Sequence, residues 1–364
     1  MLRQLARLTR PVRDVPGALA VAVYADAAGR PIAAAERGHE GVACVDDAAR
    51  ALALFCDLWT ASRLPLARRW AEGLLELVLH MQGGDGRFVN FIADWSGARN
   101  EHGPTSVAGG SFWQARGVLG LAKAAVALDD PRASRGVRLG LGQVRDAPAP
   151  ADVRAIHVLT AVRLLRGGGA PELETGLRAD LAEWSAELVA CRRDGVLFDN
   201  PDQTEPHLWG HVQEAALAEA GMYLGRVDLV DVARESALRY LAPLIESGFD
   251  LPRVQPYGVA SALLGVERLA AATGDRTFAA LAERARAWFS GRNPSGRPVY
   301  DRAAGRVHDG IDMGVLNEHS GAESNIAAAE ALFAELPGIA AAHRDVIERA
   351  LPRPAAATAV TSSS

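Results

Sequence analysis

Carboxylates are the side chains of this chain best able to do chemistry, and they are unevenly placed. Asp46 and Asp47 fall where a polar segment runs into an apolar helix, with Arg50 one turn on. Near the other end, Asp309, Glu318 and Glu323 crowd around His319, just before another apolar stretch. Two carboxylates on a rigid frame can cleave a glycosidic bond. One protonates the leaving oxygen, and the other activates water or attacks the anomeric carbon. Asp47 and Glu323 are the expected pair, with Glu101 as a third catalytic candidate and Asp94 nearby. Which is acid and which base is not fixed by spacing. Structural roles compete. Asp47 and Arg50 are i,i+3 neighbours suited to a local ion pair. Glu323 could pair with Arg50 or Arg116, and Ser320 with Glu323 three residues on could form a capping box. Adjacent helical residues point roughly 100° apart, so at most one of Asp46 and Asp47 is expected to face inward.

The neighbouring residue types suit a sugar, which has apolar ring faces and hydroxyl edges. Aromatic side chains alternate with acids and amides through Asn90, Asp94 and Trp95, and again through Trp113, Gln114 and Arg116. The expected substrate contacts are those residues with Asp46, Arg50, Trp209, His211, Tyr257, Asp309, Glu318 and His319. His207 and His211 have the i,i+4 spacing of a metal pair. Leu208 stands where the zinc-protease motif needs Glu, so no metal is expected, and no cofactor. His157, His211 and His319 leave a second chemistry open, epimerisation with histidines shuttling protons. A glycan-binding scaffold without turnover is the non-enzymatic alternative. A class II terpene cyclase fails, because Cys44 occupies the first acid position of its Asp-x-Asp-Asp pattern and aromatic residues make up only 6% of the chain.

Six times, a polar or Gly-rich segment leads into an apolar helix that a short turn joins to a second helix. The pairs read as 44–61/65–82, 110–128/131–146, 151–167/171–193, 207–224/226–247, 255–273/275–290 and 319–335/337–350. Short turns make antiparallel neighbours. Six hairpins closed into a ring put every long connection, 83–109, 194–206 and 291–318 among them, on the face holding the first helices' N-termini. Loops gathered at one end of a rigid scaffold are where a site belongs. The run from Ala51 to Trp59 is apolar around almost its whole circumference, as an inner helix must be, whereas Ala67–Leu77 is amphipathic, as an outer one should be. Turns before Phe88–Phe91, Val196–Phe198 and Val299–Tyr300 predict short strands on the loop face. The expected fold is therefore all-α, an (α/α)6 toroid over 43–350. A lead-in precedes it over 1–42, with a strand within Ala18–Ala25, and a disordered Pro/Ala/Ser-rich tail follows over 351–364.

Composition agrees. Of 364 residues, 49% are apolar, enough for a large core, and the net charge of -5 comes with no block of like charge. That argues against a nucleic-acid surface. Lys123 is the only lysine in an Arg-rich chain, which reads as coding bias. Three cysteines (Cys44, Cys56, Cys191) make neither a disulfide framework nor a metal spacing. With no run near the roughly 20 apolar residues a membrane span needs, and no convincing leader, a cytoplasmic location and no membrane partner are expected. The expected partner is an oligosaccharide or polysaccharide.

The segments Cys44–Arg50, Gly86–Phe91, Gly291–Asn293, Tyr300–Asp301, Asp309–Gly310 and Ser320–Ser324 resemble bacterial members of the six-hairpin glycosidase superfamily, some associated with glycosyltransferases. The resemblance spans about 43–335. It implies the toroid and a carbohydrate substrate. The superfamily also includes lyases and epimerases, so it does not fix the reaction. Relatives read Asp-Asp-Asn-Ala-Arg at the first segment, and Ala48 replaces the Asn here.

Overall fold

The computed structural model describes residues 1–352 apart from His39 and Pro201. Its helices are α1 (Leu2–Leu8), α2 (Val45–Ser62), α3 (Pro65–Met81), α4 (Ser111–Leu128), α5 (Pro131–Val144), α6 (Ala151–Gly167), α7 (Glu174–Ala190), α8 (Gln213–Leu224), α9 (Val227–Ser236), α10 (Ala242–Glu246), α11 (Pro256–Thr273), α12 (Arg276–Trp288), α13 (Ala322–Ala331), α14 (Leu336–Ala342) and α15 (Arg344–Ala350). The chain is an all-α (α/α)6 toroid. The inner helices α2, α4, α6, α8, α11 and α13 each pack on the next, and α13 returns to α2 to close the ring.

Local chemistry explains the hairpins. Five inner helices end on a left-handed residue: Arg63, Asp129, Gly168, Gly225 and Gly274, with φ between 54° and 68°. Such a residue turns the chain back and satisfies late helical carbonyls. Proline or an aspartate cap then starts α3, α5 and α12. Inner helices are buried around their circumference; in α8 every residue from Gln213 to Gly221 is buried. Outer helices such as α5 bury one stripe.

The structure differs from the expectation in four places. The fourth inner helix begins at Gln213, not 207, so His207, Trp209 and His211 lie on the connection before it. Its outer partner is broken into α9 and α10 by a π turn at Ala237–Leu241. The last outer helix is split into α14 and α15, with α1 packed against both and against α13. The expected lead-in over 1–42 thus carries core residues: Leu2, Leu5 and Leu8 are buried, and the Met1 ammonium donates to the Gly305 carbonyl at 2.7 Å. Leu351 is also buried; the rest of the expected tail, from 353, lies outside the described residues.

Short antiparallel strands decorate the loop face. Arg192–Arg193 pairs with Val196–Leu197, Tyr300–Asp301 with Arg306–Val307, and Ala43–Cys44 with Phe91–Ile92. In the lead-in, Thr9–Pro11 pairs with Leu19–Val21 and Tyr24–Ala25 with Pro31–Ile32. A three-stranded sheet joins Arg253–Val254, Gly310–Asp312 and Val315–Asn317. Among the described residues no helix is long and apolar enough to cross a membrane.

Candidate functional site

A cavity of about 580 Å³ opens at the N-terminal ends of the inner helices. The first two turns of α2 and the first turns of α4, α11 and α13 supply Asp46, Asp47, Arg50, Phe112, Trp113, Tyr257, Glu323 and Ser324. Connections add Asn90, Trp209, Asp309 and the Arg253–Gln255 strand end.

Cys44 ends the Ala43–Cys44 strand and caps α2, accepting from the Asp47 N–H through Sγ at 3.4 Å. Asp46 and Asp47 therefore sit in the first turn, where the helix dipole favours negative charge. Both line the cavity, against the expectation that at most one would face inward, and the Arg50 guanidinium lies beside both, with Nε 3.7 Å from Asp46 Oδ1. Arg116 donates from Nη1 to both Asp46 oxygens, at 2.6 and 2.7 Å. Burial would raise the Asp46 pKa, but Arg116 and Arg50 outweigh it and hold it below the usual range. Asp47 is 2% exposed. Burial pushes its carboxyl up to about 7; Arg50 opposes the rise, and repulsion from Glu323 and Asp46 adds to it. Arg50 Nη2 bonds Asp47 Oδ1 at 2.7 Å and Glu323 Oε1 at 2.9 Å. The nearer oxygens of Asp47 and Glu323 are thus less than two hydrogen-bond lengths apart. Glu323 is the more open of the two, with 29% of its side chain exposed against 3% for Asp47. Burial raises the Asp309 carboxyl as well, and it accepts from the Gly321 N–H at 2.7 Å.

One wall is aromatic. The Phe112 and Trp209 rings meet edge-on with centroids 4.4 Å apart, and Tyr257 meets Trp209 edge-on at 6.3 Å. The Arg116 guanidinium lies over both Phe112 and Trp209, at 4.9 and 5.1 Å. Trp113 donates to the Phe88 and Val107 carbonyls. Its ring lies so close to Gly110 that a Cβ there would stand 1.8 Å from it, so only glycine fits.

The structure brings together Asp46, Asp47, Arg50, Asn90, Trp113, Trp209, Tyr257, Asp309 and Glu323. Asn90 is committed to the scaffold, accepting from the Asp46 N–H and donating to the Thr105 carbonyl. Arg116 lies behind the lining and acts through Asp46. Glu323 makes the ion pair rather than the capping box: Gly321 is the N-cap and no side chain caps α13.

Other expectations are corrected. Glu101 and Asp94 are exposed and do not line the cavity; the Asp94 carboxylate accepts from the Ser96 N–H in a local turn. Trp95 packs on the core outside the cavity. Gln114 is buried, accepting from the Phe88 N–H and donating to the Gly86 carbonyl. Glu318 is exposed, and neither it nor His319 lines the cavity. His211 is fully buried beside Glu214 and Asp199. Burial would lower its pKa, but those carboxylates raise it to about 10. Among the described residues no histidine lines the cavity.

Some lining residues lie outside the expected contacts. Val23 and Tyr24 come from the lead-in, and Phe112, Arg253, Gln255, Asp312 and Asn317 also line the wall. Phe112 beside Trp113 and Asn317 beside Glu318 stood within the polar clusters at inner-helix starts; the others carried no local signal.

No family model matches the sequence, and no curated protein matches it. The fold does match solved structures. The cellobiose 2-epimerase from Spirochaeta thermophila superposes with a TM-score of 0.68 at 12% identity, over 92% of this chain and 93% of that one. A D-mannose isomerase gives 0.66 at 10% identity, over 91% and 96%. A family 76 glycoside hydrolase from a bovine Bacteroides thetaiotaomicron strain gives 0.62 at 11% identity, over 92% and 76%. At these identities the likeness is one of fold: the chain shares the (α/α)6 toroid of these structures.

Proposed function

We propose that the protein is a carbohydrate-active enzyme that cleaves a glycosidic bond, with Asp47 and Glu323 as the reacting pair. The observation that carries this is the sharing of one Arg50 nitrogen by two carboxylates from opposite ends of the chain, at the floor of an aromatic-walled cavity. Asp47, with its pKa near 7, is about half protonated at neutral pH and acts as the general acid. Glu323, the more open carboxylate, faces the anomeric carbon. Their close approach is nearer to the about 5–5.5 Å of retaining enzymes than to the wider gap that admits a water. Trp113, Trp209 and Tyr257 offer faces for sugar rings, and Asp309 offers a hydroxyl partner.

The fold neighbours support the carbohydrate class, since they include an epimerase, an isomerase and a hydrolase by their names. Epimerisation by histidine shuttles has less support, because His157 and His211 are enclosed in the core and His319 lies outside the lining.

The test is a panel of oligosaccharides incubated with wild type, Asp47→Asn and Glu323→Gln, with products read by mass spectrometry. Cleavage by wild type and its loss in both folded variants is the expected result. Isomeric but uncut sugar would replace hydrolysis with epimerisation. A folded wild type that neither binds nor alters any glycan would overturn the carbohydrate reading.

A further inference from the structure

His207, Asp152 and Asp199 converge beside the cavity wall. Asp152 opens α6 and is 3% exposed; Asp199, on the connection before α8, is 1% exposed. Each carboxylate has one oxygen committed elsewhere. Asp152 Oδ1 accepts from the Val153 N–H at 2.7 Å, and Asp199 Oδ1 accepts from Gln213 Nε2 at 2.7 Å. Each directs Oδ2 toward His207 Nε2, at 3.4 and 3.5 Å. All three donor atoms lie within 4.8 Å of one another.

Those separations are long for hydrogen bonds, which centre on about 2.9–3.0 Å. They match the edges of a metal polyhedron: donors about 2.0–2.2 Å from a tetrahedral ion stand roughly 3.3–3.6 Å apart. Behind Asp199 stands a third buried carboxylate: His211, 0% exposed, bridges Asp199 Oδ1 at 3.7 Å from Nδ1 to Glu214 at 3.0 Å from Nε2. Charge agrees. Asp152, Asp199 and Glu214 are buried together, and among the described residues no Arg or Lys forms an ion pair with any of them. Even with both imidazoles protonated, the cluster keeps one negative charge in excess, which is costly away from water.

We infer that Asp152, Asp199 and His207 form a site for a divalent transition cation of the zinc class. An imidazole with two carboxylates excludes Mg²⁺ and Ca²⁺ as preferred occupants, since these favour all-oxygen sets. The His207 side chain is 44% exposed, leaving a face open for a water ligand. Gln213 orients Asp199 as an outer-shell partner. The i,i+4 pair of His207 and His211 does not converge on one ion, because His211 turns into the core toward Glu214. The ion ties the connection before α8 to the start of α6, already joined by the Ala151 N–H donating to the Asp199 carbonyl at 2.7 Å. The His207 ring centroid is 6.3 Å from that of Trp209, so the same tie fixes a wall of the cavity.

The test uses Zn²⁺ and Co²⁺ on the full chain and does not depend on the proposed reaction. Metal-stripped protein is dialysed against micromolar Zn²⁺ and the bound metal counted; Co²⁺ loading is read as visible absorption. One Zn²⁺ per chain, an intense tetrahedral Co²⁺ spectrum and a roughly 100-fold loss of affinity in His207→Ala support the site. His207 is half-exposed, so that variant keeps its fold, which circular dichroism checks. Absence of stoichiometric Zn²⁺ in wild type, binding by His207→Ala within a few-fold of wild type, or Ca²⁺ held as tightly as Zn²⁺ would each overturn the assignment.

Discussion

Arg50 on α2 bonds Glu323 on α13 at 2.9 Å, joining the first inner helix to the last. One contact thus does two jobs. It closes the seam where the ring's ends meet, and it places a carboxylate beside Asp47. Arg50→Leu removes the cation that Asp47 and Glu323 share while leaving both carboxylates in place. Breaking a buried pair from one side costs about 3 kcal/mol. Urea unfolding followed by circular dichroism is expected to show that loss. Glu323→Gln is expected to cost much less, because its amide oxygen still accepts from Arg50. A Glu323→Gln protein as unstable as Arg50→Leu would assign Glu323 to the seam alone.

The Asp47 carboxyl should leave a mark on both stability and rate. Its folded pKa of about 7 lies above the unfolded value of about 3.9. The folded state therefore holds the extra proton between those values. Its contribution favours folding below about 4 and is lost progressively as pH rises through 7. Wild type should lose stability relative to Asp47→Asn across that window. On a cleaved substrate, kcat should fall above an apparent pKa near 7, as Asp47 loses its proton. Thermal melts at pH 5, 6, 7 and 8 on both proteins decide the first point; a pH–rate profile decides the second. A flat difference between the two melting series would show that Asp47 titrates normally.

The ring was legible because its signals are local. Apolar circumference marked α2 as inner, and turns at Arg63, Asp129, Gly168 and Gly274 punctuated the pairs. That Asp47 and Glu323 reach one cavity was legible for the same reason, since inner-helix starts must share one face. What failed was loop direction. The segment 83–109 has the residue types of a sugar site, but its backbone is pinned by distant partners: Asn100 donates to the Glu40 carbonyl at 2.7 Å, and Glu101 is left facing solvent. Tyr24 reaches the cavity by a backbone route across the seam, where Ala322 N–H donates to the Val23 carbonyl. Neither arrangement has a periodicity to read. His211 was mistaken for a ligand contact because an i,i+3 Glu on the same face signals a buried pair as readily as a pocket.

Trp209 should matter for binding more than for folding. It is held by edge contacts to Phe112 and Tyr257 and lies in the cavity wall. An aromatic stacking partner is worth about 0.5–1.5 kcal/mol beyond its buried area. Trp209→Ala is expected to raise KM about tenfold, the equivalent of about 1.4 kcal/mol. The change in kcat should be smaller, and the melting temperature should move little. Steady-state kinetics beside a thermal melt separates these. A collapse in kcat with unchanged KM would instead place Trp209 at the reacting bond.

His211 predicts the opposite pattern. It is fully buried, with Nε2 3.0–3.1 Å from the two oxygens of Glu214, which is itself 0% exposed and accepts from Ser236 Oγ at 2.6 Å. His211→Leu removes the charge partner of a carboxylate that has no route to water. The expected cost is about 3–5 kcal/mol, with KM unchanged in whatever folds. Adding Glu214→Met to that variant removes the stranded charge as well, and it should recover most of the loss even though two native polar groups are gone. The comparison is made by denaturant unfolding of the wild type, both single variants and the double. If the double variant is no more stable than His211→Leu, the cost lies in packing around the ring rather than in an unpaired Glu214.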